Sequence, residues 1–485
     1  MKISKLKFLN HPTLKNLELD FTDTAGGVYD TVIFAGENGN GKTTILNSIS
    51  QISSDLHGKY MEVIVRLDIE DILFVLENAS EEILVNDGFK DKTPEEILSQ
   101  LSHITISEPG RRNMGYWGMA RYSFEENEKN ILYAPYGETR SSIGFLLSNV
   151  VAKIKKNDKE PSFREVSQTT TLTIDNPDDY KQNNRIVSSN DLNISELLTN
   201  INYQDASELQ NKLLETGTVA VEDAENRVKR FRSAFNHFFD NGLEFSKIDN
   251  FEIIFKKNRE KFKVQGLSSG EKNIVQNGAF FLKDINLDNP FISILDEPEQ
   301  SLNPLWEDRI LEYYKRLLNK NGRQIAQLFV ATHSEYVIKD AYEAKDLIFI
   351  MKRNASGDIV AEKAENLNLF PYSPTYNEIK YGAFNLPTSD FHNDLFGFLQ
   401  ERLNQITGVS TNIDDVDNFI DGQTGNYAVP TGWINGRGDR TLPVYIRNCI
   451  HHPESTIEPN PIRQKPNAED IKRSIEILIC IIESI

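Results

Sequence analysis

Gly36-Glu37-Asn38-Gly39-Asn40-Gly41-Lys42-Thr43 decides the reading of this chain. The stretch fits G-x-x-x-x-G-K-[ST] at every fixed position, after the apolar run Thr31–Ala35 and before a helical segment beginning near Lys42. Glycines let the backbone wrap phosphates with its N–H groups, and a helix N-terminus adds a favourable dipole. Lys42 has the reach for β- and γ-phosphates, and the Thr43 hydroxyl suits Mg²⁺. The expected binding set is Gly36, Asn38, Gly39, Asn40, Gly41, Lys42, Thr43 and Thr44. A glycine-rich turn can match by chance, but the strand–turn–helix context argues against that.

Working outward, Phe291-Ile292-Ser293-Ile294-Leu295-Asp296-Glu297 reads as an apolar strand ending in two carboxylates. Asp296 suits the magnesium ion through water, and Glu297 suits a general base that orients the attacking water. By itself such a strand end is also what an acidic cap looks like. Gly266-Leu267-Ser268-Ser269-Gly270-Glu271-Lys272 precedes a helical segment, Ile274–Leu282, and offers a second anion site of N–H groups and hydroxyls. Leu328-Phe329-Val330-Ala331-Thr332-His333-Ser334 is another buried-type strand, ending in a histidine that can sense a γ-phosphate. A lone histidine there is more commonly structural.

The order of these four motifs resembles the ABC-type ATPase heads of the SMC and RecF group, over about residues 1–150 and 245–355. The resemblance implies an α/β head with mixed sheets, in which Ser268, Ser269, Gly270 and Glu271 form the signature. It further implies Ser301-Leu302-Asn303 as the D-loop region and His333 as the switch histidine. Lys42, Glu297 and His333 are then the catalytic set, Thr43 and Asp296 the metal set, and ATP and Mg²⁺ the cofactors. Such heads sandwich two ATP molecules, the signature of one copy meeting the γ-phosphate held by the other. The signature departs from LSGGQ, and the Q-loop glutamine finds no place.

Composition sets the frame. At 485 residues the chain has room for about three domains. Two cysteines, Cys449 and Cys480, can build neither a disulfide framework nor a four-thiolate zinc site. The start, MKISKLKFLNHP, lacks an apolar signal region, and the longest apolar runs fall short of a membrane span, so a cytoplasmic location is expected. Lysine and arginine number 53 against 72 acidic residues, a net charge of −19, which excludes binding nucleic acid through the average field. A local contact with DNA stays open, for instance at the basic stretch Arg227–Arg232, which is also what a solvated helix face looks like.

The expected layout is a head lobe over 1–150, a short helical insertion over 151–245, a second head lobe over 246–365 and a mainly helical partner-binding region over 366–485. Within it, Ile3–Phe8, Leu14–Phe21, Glu62–Ile69 and Phe251–Phe255 read as strands. Asp71–Glu77, Pro94–Gln100, His392–Ile406 and Asn467–Ile485 read as helices, and Thr411–Arg440 as linkers. Trp117, Trp306, Trp433, His11, His57, His103 and His237 read as structural.

The tail segments Pro374–Phe384, Asp390–Phe396 and Ile446–Glu454 are similar to the C-terminal region of PtuA-type ATPases of Septu and retron-associated antiphage systems. That resemblance implies an oligomer, at least a head-to-head dimer, which regulates an HNH nuclease subunit and itself cuts nothing. In retron versions a reverse transcriptase and its msDNA join the complex. Alternatives are a repair or recombination ATPase of RecF/SMC type, or a ribonuclease toxin of HEPN type controlled by the head, since Arg447-Asn448-x-x-x-His452 resembles the HEPN signature. A guanidinium suits phosphate and an imidazole suits proton transfer; a helix that docks by Arg447 and ends at Pro453 explains the same residues. A Toprim nuclease after the head is disfavoured, because Asp414-Asp415-Val416-Asp417 reads as a solvated acidic loop.

Overall fold

The computed structural model describes residues 2–8, 11–51, 61–67, 70–75, 103–106, 120–123, 130–133, 163–167, 191–218, 227–249, 252–282, 291–300, 302–320, 322–423, 440–456 and 464–485. Pro94–Gln100, His57, Trp117, Ser301, Trp433 and most of the polar stretch 134–190 lie outside the described residues. Two compact units emerge, Met1–Ala361 and Glu362–Ile485.

The first unit is mixed α/β. In chain order it contains β1 (Lys2–Phe8), β2 (Glu18–Asp20), β3 (Thr31–Gly36), α1 (Lys42–Gln51), β4 (Met61–Leu67), β5 (Glu70–Val75), β6 (His103–Ile106), β7 (Ala120–Ser123), β8 (Asn130–Tyr133) and β9 (Phe163–Ser167). There follow α2 (Asp191–Thr216), α3 (Arg227–Phe238), β10 (Leu243–Asp249), β11 (Glu252–Lys257), β12 (Glu260–Phe262) and α4 (Ser269–Leu282). The unit continues with β13 (Phe291–Asp296), α5 (Pro304–Leu317), β14 (Asn319–Lys320), β15 (Arg323–Gln324), β16 (Ala326–Thr332), α6 (Glu335–Glu343), β17 (Leu347–Arg353) and β18 (Ile359–Lys363).

The six-stranded sheet that carries the motifs has the order β18-β17-β3-β16-β13-β9, with β17, β3, β16, β13 and β9 mutually parallel. Its central strands are continuous apolar runs because both faces are covered, as parallel sheets require. Phe34, Phe329 and Phe349 stack across neighbouring strands, and Phe21 meets all three edge-on. Burying each such ring is worth about 2–3 kcal/mol. A second sheet runs β2-β1-β4-β5-β8-β7-β6, and β10-β11-β12 form a third.

Three sequence expectations change here. Of the expected helix Asp71–Glu77, the described part is not helical: Glu70–Val75 is β5, paired antiparallel with β4 and parallel with β8. The run Ile72-Leu73-Phe74-Val75, β-branched and aromatic, favours the pleated surface over the expected helix. The expected strand Leu14–Phe21 shrinks to Glu18–Asp20, because His11 and Lys15 close a turn, with Lys15 at φ 55°. The stretch 151–245, expected as a helical insertion, contains α2 and α3 but also β9, which joins the main sheet beside β13.

The second unit is helical: α7 (Tyr376–Phe384), α8 (Ser389–Thr407), α9 (Ile413–Asp421), α10 (Leu442–His451) and α11 (Ala468–Ser484). Leu395 and Leu399 of α8, Val444 and Tyr445 of α10 and Ile475 and Leu478 of α11 share one core. The stretch read as a linker therefore contains a helix. Asn412 and Asp415 form a capping box, and Val416 and Ile420, four apart, face inward. The acids of Asp414–Asp417 are no solvated loop: Asp417 is buried and accepts from Thr441 N (2.9 Å) and Thr441 Oγ1 (2.7 Å), and Arg440 pairs with Asp414 and Asp417. Among the described residues no helix is long and apolar enough to cross a membrane.

Candidate functional site

Parallel strands end together, so whatever follows their carboxyl ends is gathered along one edge of the sheet. Here β3, β16 and β13 are adjacent and in register, Ala35 beside Thr332 and Ala331 beside Asp296. Their ends deliver the Gly36–Lys42 loop, His333, and the pair Asp296 and Glu297 to one place.

Gly36 ends β3 with its Cα against Met351; a Cβ there would fall 2.3 Å from the Met351 carbonyl oxygen. Gly41 turns the chain into α1 at φ 81°, which a side chain disfavours. The loop is pinned from β17, since Asn40 donates to Met351 O (2.9 Å) and Arg353 donates to Gly39 O (2.7 Å). Ile45, Leu46 and Ile49 anchor α1 in the core, which holds its N-terminus at the sheet edge. The first N–H groups of a helix have no partner within it, so this end favours an anion.

Lys42 is only 5% exposed, and its ammonium donates to Gly36 O (2.8 Å) and Glu37 O (3.0 Å). Its Nζ lies 3.4 Å from His333 Nδ1. In the tautomer whose Nδ1 accepts from that cation, the Nε2 proton faces Glu297 Oε1 at 3.0 Å. Thr43 Oγ1 donates to Asp296 Oδ1 (3.2 Å). Glu297 holds φ 49°, a left-handed conformation costly for a residue with a side chain, while its N–H donates to Ala331 O (2.9 Å).

Burial pulls Lys42 down to about 8, against the opposing pull of Glu297, Asp296 and Glu299. Burial also lowers His333, helped by the Lys42 charge and opposed by Glu297. It raises Asp296, against the hydrogen bond from Thr43. Two cationic or protonatable groups and the carboxylates thus share a half-buried space, and an arriving polyphosphate would relieve Lys42 most. A hydroxyl and a carboxylate 3.2 Å apart are hard oxygen donors that suit Mg²⁺, which otherwise keeps water and substrate phosphates as ligands. No group of three metal-ligating side chains occurs among the described residues.

The structure brings together Lys42, Thr43, Asp296, Glu297 and His333. Asn38 and Gly39 are exposed on the loop, and Thr44 lies in the first turn of α1, its carbonyl accepting from Ser48 Oγ (2.8 Å). Ser268–Glu271 has no polar contact with this cluster. Glu271 accepts from Ser268 N (2.7 Å), Glu271 N donates to Ser268 Oγ (3.3 Å), and Lys257 lies 3.5 Å away, so the segment is a capping box that opens α4. Asn303 caps α5 by accepting from Trp306 N. Trp306 packs on Phe238 and Phe239. His11 caps the turn at Thr13 and Leu14, and His237 pairs with Glu312. In the second unit Arg447 lies over the Phe396 ring and contacts Asn448, whereas His452 ends α10 and pairs with Glu454 (3.3 Å).

Sequence reasoning missed Glu299, which is buried among Thr332, His333 and Ser334. Its only local signal was a third acid following Asp296 and Glu297. It also missed Arg353, which no spacing ties to the loop.

No family model and no curated protein matches the chain. Among solved structures it is similar to the recombination mediator protein RecF with ATP, of the RecFOR pathway, at a TM-score of 0.29 and 11% identity. That match covers 74% of this chain and 98% of the other. At that level no residue role passes from one chain to the other.

Proposed function

We propose that this chain binds Mg·ATP at the carboxyl edge of the six-stranded sheet and hydrolyses it. The observation that carries the reading is the convergence of Lys42, Thr43, Asp296, Glu297 and His333 from three adjacent parallel strands and one helix start.

In this reading the N–H groups opening α1 and the Lys42 ammonium hold the β- and γ-phosphates. Thr43 and Asp296 hold Mg²⁺, which when bound spreads the phosphate charge. Glu297 accepts a proton from water as the water oxygen bonds to the γ-phosphorus and the bond to the bridging oxygen breaks, releasing ADP. His333, donating through Nε2, is held beside that carboxylate to sense the γ-phosphate. The positive φ of Glu297 is the local strain that aims its carboxylate there.

In this reading a second copy brings its Ser268–Glu271 to the γ-phosphate, as in the ATPase heads that the motif order resembles. Resemblance of the tail to PtuA-type subunits supports the biological reading: an ATP-loaded oligomer that restrains an HNH nuclease during antiphage defence. Glu297→Gln should keep ATP binding yet lose turnover by roughly 10²–10⁴-fold, read by nucleotide affinity and single-turnover hydrolysis. Unchanged turnover removes Glu297 from the base role. Co-purification with the product of the neighbouring gene tests the partner, and magnesium-dependent DNA cleavage by this chain alone overturns it.

A further inference from the structure

Glu299 is 8% exposed and accepts three hydrogen bonds at one oxygen. Oε1 takes Thr332 Oγ1 (2.6 Å), His333 N (2.9 Å) and Ser334 N (3.2 Å). These donors are the three consecutive residues that lead from β16 into α6. Ser334 also caps α6, accepting from Tyr336 N and Val337 N, and donates to Glu307 Oε2 (2.7 Å). The backbone that carries the His333 ring is therefore held to a single carboxylate oxygen.

That arrangement is expensive. Burial raises the Glu299 carboxyl above the usual range, and its Oε2 has no hydrogen-bond partner. A turn that needed only closing could use an ordinary backbone bond or the Ser334 cap already present, without burying a carboxylate. Glu299 is also rigidly tied to Glu297: Gln300 N donates to Glu297 O (3.0 Å) and Leu302 N to Glu299 O (3.1 Å), a tight turn. Glu297 meets His333 through the ring, and Glu299 meets it through the backbone.

We infer that Glu299 is a positioning residue for His333, holding the imidazole between Lys42 and Glu297 so that ring, ammonium and base keep one geometry. The inference rests on the ATPase reading above. It assigns Glu299 no contact with nucleotide; its effect on turnover passes through His333.

The test uses the full chain and measures kcat, KM, nucleotide affinity and Tm for Glu299→Ala, Glu299→Gln, His333→Ala and the double variant Glu299→Ala/His333→Ala. Misplacement of a reacting group by about 1 Å can cost up to about 10²-fold, so Glu299→Ala should lose roughly 10- to 100-fold in kcat with affinity within about threefold. Glu299→Gln keeps an acceptor oxygen and should stay within about threefold of the parent in kcat. The double variant should turn over no more slowly than His333→Ala, the non-additivity expected of residues acting through one group. Parental kcat in Glu299→Ala, or a double variant slower by the product of the two single losses, overturns the inference. So does a folded Glu299→Gln as slow as Glu299→Ala. If Glu299→Ala does not fold, Thr332→Val, which deletes the shortest of the three bonds, must lower kcat at constant affinity; an unaltered kcat there overturns it equally. A parent chain that binds and hydrolyses no ATP sinks the underlying reading instead, so the two failures are distinguishable.

Discussion

The Lys42 cluster and the core of the C-terminal unit both bury titratable side chains, and they meet the cost in opposite ways. Lys42 stays among Asp296, Glu297 and Glu299, whose charges offset part of its desolvation. His392 in α8 is fully buried with one hydrogen bond, Nε2 to Ser474 Oγ (2.9 Å), and stacks on Phe396. Burial, with a smaller push from His451, drives it down to about 3, so it is neutral architecture. A cluster of mutually opposed charges at a sheet edge is poised for an anion; a neutral imidazole inside a helical core is packing with a polar tip.

The largest expected effect breaks the first side of this comparison. Lys42→Ala removes the buried ammonium that opens α1 and should weaken ATP binding by 10²-fold or more, about 3 kcal/mol, a reasonable loss for a charge-assisted contact in a half-buried site. Isothermal titration with a non-hydrolysable analogue reads it, and parental affinity would show that the triphosphate sits elsewhere.

On the second side, the pH dependence follows from the sign of the His392 shift. Its folded value lies below its unfolded value, so the unfolded chain binds more protons as acid is added. The stabilising share is intact above the unfolded value of 6.5 and is lost progressively as pH falls toward about 3. At about 1.4 kcal/mol per unit this amounts to several kcal/mol. Asp346 in the first unit has the opposite sign: burial raises it to about 6, so its contribution improves as pH falls from there toward 3.8. His392→Gln should therefore flatten the acid limb of the Tm-against-pH curve, and an identical limb in both proteins would remove His392 as its source.

A smaller effect sharpens the Lys42 argument. Bound phosphate must raise the Lys42 value above about 8, so affinity is greatest below pH 8 and declines above it. The decline is at most about tenfold per pH unit for one proton, and flat affinity from pH 7 to 9 would contradict it. The smallest is Asn412→Ala, which removes the capping box of α9 and should lower the stability of the C-terminal unit by about 1 kcal/mol in chemical denaturation.

The strand–turn–helix over Thr31–Gln51 was legible because its signal is local: an apolar run, glycine spacing, a lysine and a hydroxyl stand close together. The capping role of Glu271 was equally local, since Ser268 and Glu271 stand in the S-x-x-E pattern, but the expectation of a signature there overlaid it. Asp414–Asp417 misled because acidic composition hid the spacing of Val416 and Ile420. Composition is an average, whereas burial of a short helix depends on two positions.

The chain's own order of residues determined the glycine-rich turn into α1, the apolar strands that lead to Asp296 and His333, and the helical character of the tail. Each of these depends on periodicity or spacing within a dozen residues. Only the tertiary structure decided that Thr43 meets Asp296, that Lys42 and Glu297 share His333, and that Glu299 holds the Thr332–Ser334 backbone. Parallel strands bring together residues hundreds of positions apart, and their register is set by packing across the whole sheet.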